Sequence, residues 1–277
     1  MLSDQEFVRY QRQIGLAEIG EQGQINLKNA HVLVIGLGGL GSVACLYLAA
    51  AGIGKLVLVD NDRVEMSNLQ RQVSYRQSDV GYAKTEALHQ QLHSLNQNCQ
   101  IRCVHRRMDD KQLELEVCLA DVILDCSDNF ATRQQLNRVC YRYAKPLIFA
   151  SATGWQGQFA IFDFSHPSSR NYGCVNCLVP DSGDHSPTVS GCQQLGIIGP
   201  VVGCLGNYQA LAAIQYLACN AFLTECGVLH CFDGTALRWS QFELKHDSNC
   251  SVCQPQMLVE TGANSAQNTA LRSRCES

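Results

Sequence analysis

His31-Val32-Leu33-Val34-Ile35 runs directly into Gly36-Leu37-Gly38-Gly39-Leu40-Gly41. A short β-branched run that stops on glycine is the pattern of a buried strand. The glycines fit G-x-G-x-x-G, and residues 40–51 read as a helix. In a strand–turn–helix setting, glycines let the backbone approach a phosphate, and the helix N-terminus adds N–H donors and a positive dipole end. Asp60 closes the next strand, 19 residues beyond Gly41. A carboxylate there can bind ribose hydroxyls. Gly36, Gly38, Gly39, Gly41 and Asp60 therefore point to a nucleotide, with a purely structural turn as the alternative.

Working outward, strands and helices alternate. Helices are expected over 4–14 and 18–28, the first behind a Ser3-Asp4-Gln5-Glu6 capping-box pattern. Strands follow at 31–35, 55–59, 100–104, 121–126 and 147–150, with helices at 40–51, 83–96, 111–120 and 130–144 between them. This order predicts an α/β fold with a doubly wound, Rossmann-like, mainly parallel sheet. The alternation then changes. A strand at 158–164 has no crossover helix before it, 165–195 reads as a long loop, 195–219 as a buried helix, and 228–232 and 236–244 as antiparallel strands. The expected organisation is one domain over 1–256. It comprises N-terminal helices (1–29), a nucleotide-binding part (30–155) and a C-terminal part (156–256). Residues 257–277 read as a disordered tail.

The 277 residues are 46% hydrophobic and 17% charged, with a mean hydropathy of −0.08. That is a globular balance. A net charge of −4 and a pI near 6.0 give no broad nucleic-acid footprint. No run reaches the ~20 apolar residues of a membrane span. Sixteen cysteines with no apolar leader at residues 1–12 suggest a reducing, cytoplasmic setting.

The glycine loop and Asp60 alone also fit a nicotinamide oxidoreductase. Other residues discriminate. Triphosphate chemistry needs more cations than a dinucleotide does, and usually a metal. Arg71 and Lys84 are candidate phosphate clamps, with solvated surface charge as the alternative. Asp128, in Asp125-Cys126-Ser127-Asp128-Asn129, follows the next strand, where carboxyl ends of parallel strands converge. It could place magnesium between phosphates or cap the helix at 130–144. Cys174-x-x-Cys177 and Cys250-x-x-Cys253 form two C-x2-C pairs that suit tetrahedral zinc; a redox pair is the alternative for one knuckle alone.

Several motifs occur in order: Arg9-Tyr10-Gln11-Arg12-Gln13, the glycine loop, Asp60-x-Asp62, Ser67-Asn68-Leu69-x-Arg71-Gln72, Asp79-Val80-Gly81-x-x-Lys84 and Asp125-Cys126-x-Asp128-Asn129. Together they resemble the ThiF/MoeB/HesA branch of the ubiquitin-activating-type adenylyltransferases, over residues 3–254. Gly196-Ile197-Ile198-Gly199-Pro200-Val201-Val202-Gly203 resembles the ThiF side more closely.

The resemblance implies an enzyme that adenylates the C-terminal Gly-Gly carboxylate of a ubiquitin-like, ThiS-like sulfur-carrier protein with ATP and magnesium. Asp60 would hold the ribose, with Asp62 in the same motif. Arg71 and Lys84 would hold the phosphates with Asn68 nearby, and Asp128 would help place magnesium. Arg12 matches a residue that reaches the partner subunit's site, so a homodimer is implied. The four paired cysteines match structural zinc ligands. Cys192 matches a cysteine that links to the carrier during sulfur transfer, so a sulfurtransferase or cysteine desulfurase is a further implied partner.

Other readings remain at this point: a MoeB-like enzyme of molybdenum-cofactor synthesis, a nicotinamide oxidoreductase and a non-catalytic carrier scaffold. The chain also departs from the family pattern. Asn96-Gln97 replaces Asn-Pro, and 209–215 lacks the usual Glu and Lys. Both departures are expected to bear on carrier docking or packing.

Overall fold

The structure is a computed structural model and describes residues 1–166, 172–180 and 196–254. Eight strands form one sheet in the order β3-β2-β1-β4-β5-β6-β7-β8. β1 (His31–Ile35), β2 (Lys55–Val59), β3 (Gln100–Val104), β4 (Val122–Asp125) and β5 (Leu147–Thr153) are parallel. β6 (Gln156–Phe162), β7 (Val228–Asp233) and β8 (Arg238–Glu243) continue the sheet antiparallel. The strand order reverses between β1 and β4, which opens a crevice at their carboxyl ends.

Strand alternation sorts the core into two layers. Val32 and Val34 of β1, Leu56 and Leu58 of β2, and Leu124 of β4 face one layer. Leu33, Ile35, Val57, Val59 and Ile123 face the other. Buried on both faces, these strands read as near-continuous apolar runs. The first layer is covered by α2 (Gly20–Asn29), α3 (Gly39–Ala51), α4 (Lys84–Leu95) and α8 (Gly199–Cys219). The second is covered by α5 (Asp110–Leu119), α6 (Phe130–Arg142) and α7 (Val175–Leu178). α1 (Asp4–Ile14) docks on α2, and its capping box is present: Ser3 caps Glu6 N–H while Glu6 accepts from Ser3 N–H at 2.8 Å.

Three sequence expectations shift. The strands expected at 147–150 and 158–164 are seven residues each, Leu147–Thr153 and Gln156–Phe162, joined as a hairpin. Residues 196–198 are not helical. Gly196–Ile198 instead bonds the hairpin turn, with Gly154 N–H donating to Gly196 O and Ile198 N–H to Gly154 O. α8 starts at Gly199, with Pro200 in its first turn, where a missing N–H costs nothing. The stretch read as loop also contains α7. The tail expected at 257–277 lies outside the described residues. Among those described, no helix is long and apolar enough to cross a membrane.

Candidate nucleotide site and cysteine cluster

The crevice at the β1/β4 switch has a volume of about 1000 Å³. Gly36, Gly38, Gly39, Asp60, Asp62, Asn68, Arg71, Lys84 and Asp128 all line it. Gly36 has φ +90°, and a Cβ there would meet Cys126 O at 2.6 Å, so the glycine permits both the turn and the close approach of β4. Gly38 is the residue before α3, and the helix begins at Gly39. Gly41 does not line the crevice. A Cβ at Gly41 would collide with the Gly36 carbonyl, so its smallness lets α3 pack on the turn that precedes it.

Asp60 braces the loop. Its carboxylate accepts from Leu37 N–H and from Asp62 N–H, each at 2.7 Å. Tyr75 Oη donates to Leu37 O at 2.8 Å, and burial pushes that phenol's pKa far up, so Tyr75 stays a neutral donor. Lys84 is only 5% exposed, and its ammonium meets Asp62 Oδ2 at 2.9 Å. A buried Lys needs such a partner. The surface-charge alternative therefore fails for Lys84. Arg71 Nη1 donates to Ser67 O at 3.1 Å from an exposed position on the crevice wall. Asn68 is buried and folds back onto Glu65 N–H.

At the end of β4, Asp125 is fully buried and accepts from Ser127 N–H, Ser127 Oγ and Arg133 Nε. Arg133 also donates to Ser127 O at 2.8 Å and stacks over Phe149. These bonds fix the segment that carries Asp128. The cap of α6 is Asn129, whose Oδ1 accepts from Thr132 N–H at 2.9 Å, so the capping alternative does not account for Asp128. Asp128 is exposed to the crevice. Gln209 of α8 lies fully buried and donates to Asp125 O and Ile148 O; this departure from the family pattern serves packing.

Several crevice residues were not singled out from sequence: Arg63, Arg106, Arg107, Arg133 and Arg138. The Arg106-Arg107 doublet just past β3, at the carboxyl end of a parallel strand, was the available signal. Arg12 is exposed on α1. The next residue, Gln13, donates to Ala51 O at 3.1 Å. Ala51 ends α3, about 20 Å from the glycine loop at 1.5 Å per residue. Arg12 therefore does not join the crevice of its own chain.

Cys174, Cys177, Cys250 and Cys253 come together with all four sulfurs within 4.8 Å of one another. Cys174 and Cys250 are 3.6 Å apart, Cys177 and Cys253 3.3 Å. Four sulfurs bound at about 2.3 Å around a tetrahedral ion would be ~3.8 Å apart, so the set fits zinc. Donors for thiolate charge surround it: Asn137 and Asn176 side-chain amides, and the Asp247 and Val252 N–H groups, all lie 3.3–3.4 Å from sulfur. Hydrogen bonds from the Cys174 and Cys253 thiols, helped by the Asp247 N–H, hold Cys177 well below the usual thiol range, while the bond to Cys177 and burial push Cys174 up to about 12. Cys192 lies outside the described residues.

A phosphate-ready loop, a braced carboxylate and a cation-lined crevice on a doubly wound sheet define a nucleotide-binding α/β protein with a four-cysteine metal site. The profile of the ThiF family matches residues 10–252. The chain is 42% identical over 252 residues to the sulfur carrier protein ThiS adenylyltransferase of Escherichia coli K12, covering 91% of this chain and 97% of that protein. It is 38% identical to the molybdopterin-synthase adenylyltransferase of Salmonella typhimurium, covering 91% and 98%. In structure it is similar to Escherichia coli MccB with ATP, with a TM-score of 0.75 at 25% identity, covering 88% of this chain and 74% of that one. The chain belongs to the ThiF family and is an adenylyltransferase of that family.

Proposed function

We propose that the chain adenylates the C-terminal carboxylate of a ubiquitin-like sulfur-carrier protein of the ThiS type, as a single adenylation unit over residues 1–256. The observation that carries this reading is the convergence of Asp60, Asn68, Arg71, Lys84 and Asp128 on one crevice beside the glycine loop. A nicotinamide cofactor gives no role to that set of charges.

The carrier carboxylate is ionised at neutral pH and needs no general base. One of its oxygens attacks the α-phosphorus of ATP. The bond from that phosphorus to the α–β bridging oxygen breaks, and pyrophosphate leaves with the electron pair. Catalysis is then positioning and charge stabilisation. Asp60 orients the ribose, Lys84 and Arg71 hold phosphate oxygens, and Asn68 stands beside them. Lys84, preset by Asp62, costs little reorganisation. Asp128 is a hard oxygen donor free to meet a cation, the chemistry magnesium requires; bound there, magnesium would neutralise phosphate charge.

Arg12, remote from its own crevice, fits a role at the phosphates of a partner subunit in a homodimer. Cys192 is proposed, from the family resemblance, to link to the carrier during sulfur transfer from a sulfurtransferase or cysteine desulfurase. The four-cysteine cluster is proposed to hold structural zinc. The similarity to the Salmonella typhimurium molybdopterin-synthase adenylyltransferase supports a second reading with another carrier.

ATP–pyrophosphate exchange with a panel of Gly-Gly-ended carriers tests the proposal. Exchange should depend on a ThiS-type carrier and fall about 100-fold or more in Asp128→Ala, the scale of losing a charge-stabilising group. Robust exchange by Asp128→Ala would remove Asp128 from its role, and exchange with a molybdopterin-type carrier alone would select the second reading.

A further inference from the structure

The crevice continues past its phosphate end. Along the carboxyl edge of the sheet the glycine loop follows β1, Asp60 follows β2 and residues 106–110 follow β3, and β1, β2 and β3 are neighbours in that order. A nucleotide with its phosphates over Gly38 and its ribose at Asp60 therefore points its base at the first turn of α5. Leu113 and Leu136, both buried, line that end of the crevice with Met108. Apolar walls suit the faces of a flat ring, and a few fixed polar groups then decide which ring fits. Those groups are Gln135 and Arg138 of α6 and Asp110 of α5.

Gln135 is held in one sense. Its Nε2 donates to Asp110 Oδ1 at 2.6 Å. A carboxylate only accepts, so the amide nitrogen must face Asp110 and the amide oxygen is left free. One N–H and the lone pairs of Oε1 remain, and the side chain makes no other hydrogen bond among the described residues. A carboxamide in this state matches adenine: Oε1 accepts from the exocyclic amine while the N–H donates to the adjacent ring nitrogen. Guanine and hypoxanthine carry a carbonyl in place of that amine, and Oε1 would then oppose a second acceptor. Arg138, one turn further along α6, offers donors only and would favour the carbonyl. It is exposed, whereas Gln135 is half-buried and already anchored, so Gln135 loses less side-chain entropy on meeting a base.

We infer that Gln135 is the specificity-determining residue that selects adenine over purines with a carbonyl in place of the amine, and that Asp110 is its positioning residue. This deepens the adenylyltransferase reading and rests on a nucleotide occupying the crevice. Asp110 acts by forbidding the turned-over amide, the form that would accept those other purines.

ATP against ITP is the direct comparison, because the two differ only at the amine and the ring nitrogen beside it. By isothermal titration the full-length wild type should bind ATP about tenfold more tightly than ITP, the scale of one bidentate base contact. Gln135→Met keeps the length and removes the amide, so the ratio should fall to within about twofold, through weaker ATP. Asp110→Asn lets the amide turn over, since asparagine both donates and accepts. There the ratio should also fall, but through tighter ITP. Damage to the fold alone would weaken ATP and ITP together and leave the ratio where it was.

An unchanged ratio in Gln135→Met would overturn the assignment, and an unchanged ratio in Asp110→Asn would overturn the positioning role. If Gln135→Met does not fold, Asp110→Asn, which leaves Gln135 in place, carries the test. A wild-type chain that binds both nucleotides alike, or ITP the better, would overturn this inference and leave the nucleotide reading standing. A wild-type chain that binds neither would overturn the nucleotide reading, and this inference with it.

Discussion

A methyl group on Gly36 would sit 2.6 Å from the Cys126 carbonyl oxygen on a backbone at φ +90°. Both problems fall on one residue, so neither can be relieved without moving β1 from β4. Gly36→Ala should therefore destabilise the chain by about 3 kcal/mol, combining positive-φ strain with overpacking. Urea unfolding measures this, and a loss under about 1 kcal/mol would show that the strands give way easily. The neighbouring glycines differ. Gly38 and Gly39 face the crevice, whereas Gly41 faces inward. The G-x-G-x-x-G pattern shows where a nucleotide would sit but does not separate ligand-facing glycines from packing ones. Lys84 is a similar case. Its spacing after Asp79-Val80-Gly81 marks the residue, but its burial against Asp62 depends on strand β2 and the loop behind it meeting in space.

At the scale of the element, α1 is held by a short charged network. Glu6 closes the capping box with Ser3 and meets Lys28 of α2 at 2.9 Å. These bonds, led by Lys28 and then the Ser3 backbone, lower the Glu6 pKa from 4.5 to about 2. A carboxyl whose folded pKa is depressed contributes stability above its unfolded value and loses it as pH falls through the folded one. The contribution is thus complete above about pH 4.5 and fades towards pH 2. It is on the order of 1 kcal/mol because the Lys28 end is partly solvated. Glu6→Gln should lower the thermal midpoint at pH 7 and flatten the acid limb between pH 5 and 2. Parallel limbs for wild type and variant would place the acid sensitivity elsewhere. The cap is part of the same network, since Ser3 Oγ also donates to the Glu6 carboxylate at 2.9 Å, so Ser3→Ala should cost about 1 kcal/mol above pH 5 and less towards pH 2.

The elements differ in how far they can be read from sequence. α1, β1 and β2 lie where periodicity and capping put them, because local signals and tertiary packing agree there. β5 runs on through Ser151-Ala152-Thr153, residues with no buried-strand signal, because Gln156–Gln158 pair with them across a two-residue turn. α8 begins only after Ile198 because the chain before it is used to bond that same turn. α7 forms inside a Ser/Pro/Gly-rich stretch whose composition speaks for loop; Cys174 and Cys177 must turn onto one centre. The crevice arginines after β3 lie in a connection with no period to read.

For the whole molecule, the two layers of the core divide the work. The glycine loop and α3 belong to the layer shared with α8, while the cysteine cluster packs in the opposite layer with Phe164, Val175, Leu229 and Val252. α6 joins them. Its first turn carries Arg133, which fixes the Asp128 segment, and one turn later Asn137 donates to Cys174 Sγ and accepts from Val175 N–H. Metal at the cluster would therefore tie α7 and residues 250–253 to α6, with no cysteine of the cluster lining the crevice. Folding free energy is gained from such a site when it is loaded. Stripping the metal with a chelator should lower the thermal midpoint by ten degrees or so, on the order of 3 kcal/mol for a chain this size. ATP affinity measured well below that midpoint should stay within a few-fold, because β1, β2, β4 and α3 still form the crevice. Metal analysis should give one zinc per chain before treatment. A chain without zinc and with the same midpoint would remove the structural role. A collapse of ATP affinity in step with zinc loss would show that α6 couples the two sites rather than merely joining them.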